Sequence, residues 1–251
     1  GNSLVHHGPP NERAYLMKLH PDDLPHIVLN LNDLAESSGY TKIFAKVPVS
    51  AQEPFLENGY RVEATIENFY GGCEDVSFLG RYLNPARMIE SAPERVAGVR
   101  DAAEQKEVAP PASIPENFEC RSARPDDASQ MADLYKEVFA TYPFPIHDPD
   151  YLRETMSDNV AYFGVWESDR LLALASAEID YEGLNAEMTD FATHPDSRGH
   201  GLATSLLTVM EREMAEEGIR TAYTIARAYS YGMNLTFAKR GYTFAGTLPH
   251  N

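Results

Sequence analysis

The sequence is poor in cysteine, in basic residues and in long apolar runs. Its two cysteines, Cys73 and Cys120, lie far apart and lack the CxxC spacing of metal and redox sites. We therefore expect no metal and a reducing, cytoplasmic setting. No stretch reaches the roughly 20 apolar residues of a membrane helix, and no secretory signal is visible, so we expect no membrane partner.

Acidic residues outnumber basic ones by 38 to 21, which gives a net charge of -17 over 251 residues. Because nucleic-acid binding needs clustered Lys and Arg, we expect no nucleic-acid partner. An acidic protein suits a cationic small molecule, although acidity by itself usually serves solubility.

Composition predicts two globular units and a connector. Residues 84–117 hold five prolines and few large apolar residues, which indicates a linker with a short helix between Glu94 and Gln105. Residues 1–83 then form an N-terminal α+β unit, and residues 118–251 form a larger domain. Apolar spacing in that domain predicts helices after 125–127, at 149–156, after 198–203 and at 231–239, with strands at 161–167, 171–180, 185–193, 221–226 and 242–247.

A glycine-rich turn, Arg198-Gly-His-Gly-Leu-Ala203, joins the strand at 185–193 to the next helix. Glycine lets a backbone approach a ligand closely, and the unpaired amides at a helix N-terminus attract an anion such as pyrophosphate. Neither GK[ST] nor GxGxxG is present, so the turn is not a nucleotide P-loop or a dinucleotide fingerprint. Turns before helices often contain glycine, so the motif alone leaves a plain turn open.

The segment AEMTDFATHPDSRGHGLATSLL resembles the acetyl-CoA motif [Q/R]xxGx[G/A] of the GNAT superfamily of acetyltransferases, with Arg198, Gly201 and Ala203 at the motif positions. The element order and the later FAKRGYTF resemble the same fold. The resemblance implies a mixed-sheet α+β fold with acetyl-CoA as co-substrate. It implies that the following residues bind CoA through the pyrophosphate and the pantetheine arm: Phe191, Ala192, Thr193, Arg198, Gly199, His200, Gly201, Leu202, Ala203 and Thr204.

Three further segments, TYPFPIHDPDYL, ARAYSYGMNLTFAKRGYTF and LAESSGYTKIFAKVP, are similar to the β-lysine N-acetyltransferase branch of that superfamily. The resemblance implies acetylation of the terminal amine of β-lysine, which gives the compatible solute Nε-acetyl-β-lysine. Two other functions stay open: a protein or peptide N-acetyltransferase, and a CoA-binding regulatory module without catalysis. A homodimer also stays open.

Amine acetylation needs a neutral amine, and an alkylammonium is only about 0.04% neutral at pH 7, so a base should matter. Glu187 stands where the resemblance implies a catalytic glutamate, and Asp190 stands where polyamine acetyltransferases carry acidic residues. Strand alternation puts the two on opposite faces unless a bulge intervenes, and the family fold has such a bulge on this strand. Either residue could instead be a solvated carboxylate.

The leaving thiolate needs a proton or a hydrogen bond. The family's usual tyrosine position holds Phe237, so Tyr229 or Tyr231 could substitute, and we select Tyr231; unassisted departure stays open. The position of a CoA-contacting asparagine holds Ser230, and Asn234 lies one turn later on the same helix face.

The loop at 142–148 matches the usual acceptor-binding element of the fold. Asp148 could pair with an ammonium, and Tyr142 or His147 could hydrogen-bond to it. Arg227 could clamp a carboxylate. A helix cap for Asp148 and a surface salt bridge for Arg227 are the alternatives.

Residues 31–69 can be aligned with 210–249, through GYTKIFAK and GIRTAYTI and through FLENGY and FAKRGY. This similarity predicts that the N-terminal unit is a degenerate copy of the C-terminal half of a GNAT domain, with strand, helix and strand over 40–69. It has no RGxG motif, so it should not bind CoA but cover the acceptor site or complete the sheet. An unrelated α+β unit is the alternative.

Overall fold

The computed structural model describes residues 1–8, 11–112, 114 and 117–251. The chain forms two compact units, residues 1–94 with 244–251 and residues 95–243, and each contains a five-stranded sheet. The division predicted from composition, with boundaries at residues 84 and 118, stays a prediction. Residues 113, 115 and 116 of the predicted connector lie outside the described residues. No helix in the described part of the chain has the length and apolar content to span a bilayer.

The first unit is a mixed sheet with one long helix. Its strands run in the order β1-β2-β3-β5-β4, with β2 and β3 parallel and the other neighbours antiparallel. The predicted strand–helix–strand over 40–69 is confirmed, which is consistent with a half-GNAT unit. The elements are β1 (Leu4–Gly8), β2 (Arg13–Lys18), α1 (His26–Ser37), β3 (Lys42–Pro48), α2 (Glu53–Glu57), β4 (Arg61–Tyr70) and β5 (Glu74–Tyr82).

The second unit is a sheet with helices on both faces. Its strand order is β10-β9-β8-β7-β6, antiparallel except for the parallel pair of β9 and β10. The helices predicted at 149–156 and 231–239 and the strand at 185–193 are confirmed to the residue. The elements are α3 (Pro93–Glu104, which begins in the first unit), β6 (Glu119–Ser122), α4 (Ala128–Val138), α5 (Pro149–Met156), β7 (Val160–Glu167), β8 (Arg170–Asp180), β9 (Asn185–Thr193), α6 (Leu202–Glu216), β10 (Thr221–Tyr223) and α7 (Tyr231–Lys239).

Periodic apolar residues give this sheet two cores. Leu206, Met210 and Met214 recur every four residues on α6 and are buried against one face. On the other face, Met131 of α4 and Leu152 of α5 pack in a separate cluster. A polar group on the α4/α5 face therefore lies under α4, α5 and the loop between them.

The strand predicted at 242–247 is wrong. Gly246 forms only an isolated bridge with Ala64, and residues 244–251 belong to the first unit. Buried Lys42 donates to the Pro249 carbonyl at 2.8 Å, and Arg87 donates to that of His250. These tertiary hydrogen bonds replace the ladder that the alternating sequence predicted. The strand at 221–226 is also shorter than predicted and ends at 223.

Candidate active site

The glycine-rich turn at 198–203, which we call the cradle, has a backbone conformation that only glycine adopts easily. Gly199 and Gly201 have φ values of 86° and 74°, in the left-handed region. A methyl group on either would meet no atom within 4 Å, so the space beside the turn is open. Gly201 is the N-cap of α6, and no side chain caps this helix. The first amides of α6 therefore have the arrangement that binds anions.

The edge of β9 beside the cradle is open for most of its length. β10 pairs with β9 only from Asn185 to Glu187, while β9 continues to Thr193. Beyond Glu187, no strand of the described residues pairs with this edge. An extended ligand can pair with such backbone. The Arg198 Nε donates to the Thr193 carbonyl at 3.4 Å, which ties the cradle to the strand end. The predicted contacts of residues 191–193 with pantetheine stay predictions.

A β-bulge turns Asp190 to the α4/α5 face of the sheet. Ser176 pairs with Thr189 and Leu174 with Ala192, so two residues of β9 oppose Ala175 alone. Asp190 is one of the two and has a φ of 56°. The bulge anticipated from the family is therefore present at this residue.

The bulge brings both predicted carboxylates to one face. Glu187 lies directly opposite Glu178, and Thr189 opposite Ser176, and cross-strand partners share a face. The Ser176 hydroxyl donates to Asp190 at 2.8 Å, so Asp190 is on that face as well. Glu187 and Asp190 thus lie on the same side despite their odd spacing.

Asp190 is buried among hydroxyl groups. It accepts hydrogen bonds from the Tyr142 hydroxyl, from Ser176 and, more weakly, from Thr189 at 3.4 Å. Burial raises the pKa of Asp190, and the hydroxyl donors oppose that rise. The pKa of Tyr142 is raised as well, by burial first and by the Asp190 charge second. Within the described residues, no cation forms an ion pair with Asp190.

Phe139 joins two of the predicted acceptor residues. Its ring centroid lies 5.3 Å from that of Tyr142, and the Arg227 guanidinium carbon lies 5.9 Å from the centroid of the Phe139 ring. One aromatic ring is therefore close both to a phenol bound to a carboxylate and to a guanidinium. The site thus combines a group suited to a cation with a group suited to an anion.

The other two predicted acceptor residues lie in the same loop. Asp148 accepts from the Asp150 amide at 2.9 Å and caps α5, which is the alternative role left open above. The Nε2 atom of His147 is buried and has no hydrogen-bond partner among the described residues. Their contact with a substrate stays a prediction.

The start of α7 is fixed by local hydrogen bonds. Asn234 Nδ2 donates to the carbonyls of Arg227 and Ser230, at 3.0 and 2.8 Å, so its amide holds the loop that carries Arg227. Tyr231 is 46% exposed. A methyl group on Gly98 of α3 would come within 3.1 Å of its hydroxyl. Phe237 packs edge-on against Phe191 in the core.

Sequence reasoning missed Phe139, Ser176 and Thr189. Ser176 carried a signal, because it interrupts the apolar run LLALASAEI of β8. Nothing in the sequence placed it beside Asp190, since that contact depends on the bulge. No group of His, Cys, Asp and Glu that could hold a metal occurs in the described ranges.

Comparisons with known proteins identify the family of the chain. The model described as Acetyltransferase (GNAT) family matches residues 129–242. The Beta-lysine N(6)-acetyltransferase of Methanococcus maripaludis is 36% identical over 100% of this chain and 90% of that protein. The enzyme of the same name from Methanosarcina mazei is 31% identical over 88% of this chain and 89% of that one.

Among solved structures, a predicted acetyltransferase of Clostridium acetobutylicum with acetyl-CoA is 20% identical. It covers 51% of this chain and 91% of its own, with a TM-score of 0.44. Identity above 30% over most of the chain and the family match together show its family. The chain belongs to the GNAT family of acetyltransferases and is an N-acetyltransferase that uses acetyl-CoA.

Proposed function

We propose that the chain acetylates the terminal amine of β-lysine to give Nε-acetyl-β-lysine. The observation that carries the proposal is the bulge, which puts Asp190 and Glu187 on one face beside an open strand edge. Two β-lysine acetyltransferases share 36% and 31% identity with the chain over most of its length, including the N-terminal unit. The reaction consumes acetyl-CoA, which fits a cytoplasmic protein.

The cradle is proposed to hold the cofactor. The amides of residues 198–204 suit the pyrophosphate, because α6 has no side-chain cap. The backbone of 191–193 suits the pantetheine arm, because no described strand pairs with that edge. Bound acetyl-CoA supplies the acetyl thioester; the chain's own residues orient the amine and move its protons.

Glu187 is proposed as the base. It lies where β10 stops pairing with β9, on the face that carries Asp190. Glu187 takes one proton from the ammonium, and the neutral amine nitrogen then forms a bond to the acetyl carbon. The bond from carbon to sulfur breaks, and the nitrogen releases its second proton to solvent. The sulfur then takes a proton from Tyr231 or leaves as the thiolate.

Arg227 is proposed to bind the acceptor carboxylate. Its guanidinium lies over Phe139, and a guanidinium stacked on a ring keeps its in-plane donors for a carboxylate. Tyr142 lies on the same ring, so an acceptor with an amine and a carboxylate spans Phe139. A polyamine has no carboxylate, so Arg227 does not contribute to its binding.

An acceptor series tests the function. We expect the purified chain to acetylate β-lysine with a higher kcat/KM than 6-aminohexanoate, 1,4-diaminopentane or a lysine-containing peptide. Proton NMR of the product should show the acetyl group on the terminal nitrogen. Turnover of the peptide with none of β-lysine would refute the proposal and support the peptide alternative. Binding of acetyl-CoA without turnover of any amine would support the regulatory module instead.

A further inference from the structure

The hydrogen bonds around Asp190 all have one direction. An ionised carboxylate only accepts, so Tyr142 and Ser176 each donate their hydroxyl hydrogen to it, and Thr189 at 3.4 Å is at most a weaker donor. A phenol has one hydrogen. Once the Tyr142 hydrogen points to Asp190, the phenolic oxygen can only accept from anything else that reaches it.

This direction matters for an amine nucleophile. A neutral amine has N–H groups to donate and one lone pair, and the lone pair must stay free to attack a carbonyl carbon. A hydroxyl that donates to the nitrogen occupies the lone pair. A hydroxyl oxygen that accepts from an N–H holds the amine and leaves the lone pair free.

We infer that Asp190 is a positioning residue that fixes the Tyr142 hydroxyl as an acceptor for the N–H of the acceptor amine. The inference rests on the proposed function. It adds a role for Asp190, which determines that the Tyr142 hydroxyl accepts from the amine nucleophile and does not donate to it. Tyr142 is only partly buried, and Phe139 holds its ring, so its oxygen can meet a ligand in a fixed place. Asp190 itself is buried and acts through Tyr142.

The backbone at Asp190 supports the assignment. A φ of 56° is unfavourable for a residue other than glycine, and strain of this kind persists where the surrounding structure holds it. Regular alternation would turn this side chain to the α6 face, where apolar Phe191 packs instead. The bulge thus places a carboxylate where three hydroxyl groups converge.

Two single variants and their double variant test the inference with the full chain. Tyr142→Phe removes the acceptor oxygen and should raise the KM for the amine about tenfold, with the KM for acetyl-CoA unchanged. Asp190→Asn supplies an amide that can donate to the phenolic oxygen, which turns the phenol hydrogen toward the amine. This variant should lower kcat about tenfold.

The double variant separates positioning from packing. With no hydroxyl at residue 142 there is no direction to fix, so the double variant should match Tyr142→Phe alone. Losses that multiply, or a wild-type KM for the amine in Tyr142→Phe, would overturn the inference. If Asp190→Asn fails to fold, the inference can still be overturned by a wild-type KM for the amine in Tyr142→Phe.

Two further variants are controls. Tyr181→Phe removes a phenol that donates to Glu217 at 3.4 Å outside the site, and it should leave both KM values and kcat unchanged. Ser176→Ala removes one donor but leaves the bond from Tyr142 to Asp190, so kcat should fall no more than about threefold. A loss in Ser176→Ala equal to that of Asp190→Asn would show a packing role only and overturn the inference.

The two proposals fail separately. If the wild-type chain acetylates another amine but not β-lysine, the proposed acceptor is wrong, and the same variants are measured with the amine that reacts. If β-lysine reacts and Tyr142→Phe behaves as wild type, the function stands and the role of Asp190 is refuted.

Discussion

The two units each bury a charged side chain in their sheet and neutralise it differently. In the first unit, Lys42 is fully buried and donates to Glu63 at 2.9 Å and to the Pro249 carbonyl at 2.8 Å. In the second unit, Asp190 has hydroxyl donors only, and one of them belongs to a half-buried tyrosine of a loop. The first arrangement is a complete ion pair, whereas the second is a carboxylate whose donors are neutral hydroxyl groups.

The parallel strand pairs of the units differ in the same way. β2 and β3 pair from Arg13 to Leu16 without a bulge, and α1 begins after Pro25. β9 and β10 pair over three residues only, and α6 begins after a left-handed glycine turn. Similar elements thus pair over four residues in the first unit, whereas in the second they leave most of one β9 edge open beside a left-handed glycine turn.

The largest effect should come from breaking the complete ion pair. Lys42→Met leaves the buried Glu63 carboxylate without its cation, so the free energy of unfolding should fall by about 3–5 kcal/mol. Chemical denaturation measures this loss. Glu63→Gln in the Lys42→Met background should recover part of it. Kinetic constants of the folded protein should stay at wild-type values, and an acceptor KM altered as strongly as in Tyr142→Phe would break the contrast between the units.

Gly201 precedes α6 and Gly39 follows α1, so these two glycines form a matched pair for testing the start of α6. Gly201 and Gly39 both have positive φ and open space around them, so alanine at either should cost about 1–2 kcal/mol of unfolding free energy. Only Gly201→Ala displaces the amides of the cradle and should raise the Kd for acetyl-CoA about tenfold or more. Isothermal titration checks this. An equal change in Gly39→Ala would mean that the effect is one of stability and not of the cradle.

The sequence predicted elements with local signals and missed those set by distant contacts. The helix at 149–156 begins where Asp148 caps it and Pro149 follows, and the helix at 231–239 begins where Ser230 caps it. These signals are local and can be read directly. The strand at 242–247 failed because the hydrogen bonds of Lys42 and Arg87, far away in the chain, determine that segment.

The candidate site also contains features with local sequence signals and features set by distant contacts. The turn at 198–203 follows from a motif of six residues, and its two glycines have left-handed conformations that glycine adopts easily. The partners of Asp190 depend on a bulge with a non-glycine residue at positive φ, which no local pattern signals. The position of Phe139 between Tyr142 and Arg227 depends on the packing of a loop against the start of α7.

A smaller effect should follow from Arg227→Gln. Loss of a charged hydrogen-bond donor to a carboxylate should raise the KM for β-lysine and for 6-aminohexanoate about tenfold. The KM for 1,4-diaminopentane, which has no carboxylate, should stay unchanged. Steady-state kinetics with the three acceptors measure the ratio. An equal rise for the diamine would show that Arg227 acts through Phe139 and the loop and not on the carboxylate.

The smallest effect is the pH dependence of the unfolding free energy, which should have opposite signs for Lys42 and Asp190. Burial lowers the pKa of Lys42 from 10.5 to about 8, so between these values the unfolded state binds more protons and stability should rise with pH. Burial raises the pKa of Asp190 above 3.8, so its contribution should fall as pH rises through the folded pKa.

The pH profiles of the variants separate these contributions. Denaturation from pH 8 to 9 should show the alkaline rise in wild type and in Asp190→Asn, but not in Lys42→Met. Above pH 9 the rise is opposed, because burial raises the pKa of Cys120 from 9.0 to about 11. Denaturation from pH 4 upward should show a decline in wild type and in Lys42→Met that Asp190→Asn lacks. If Lys42→Met kept the alkaline rise, another group would be responsible, because methionine has no proton to exchange. The denaturation data would then no longer support the contrast between the Lys42–Glu63 ion pair and Asp190, which has only hydroxyl donors.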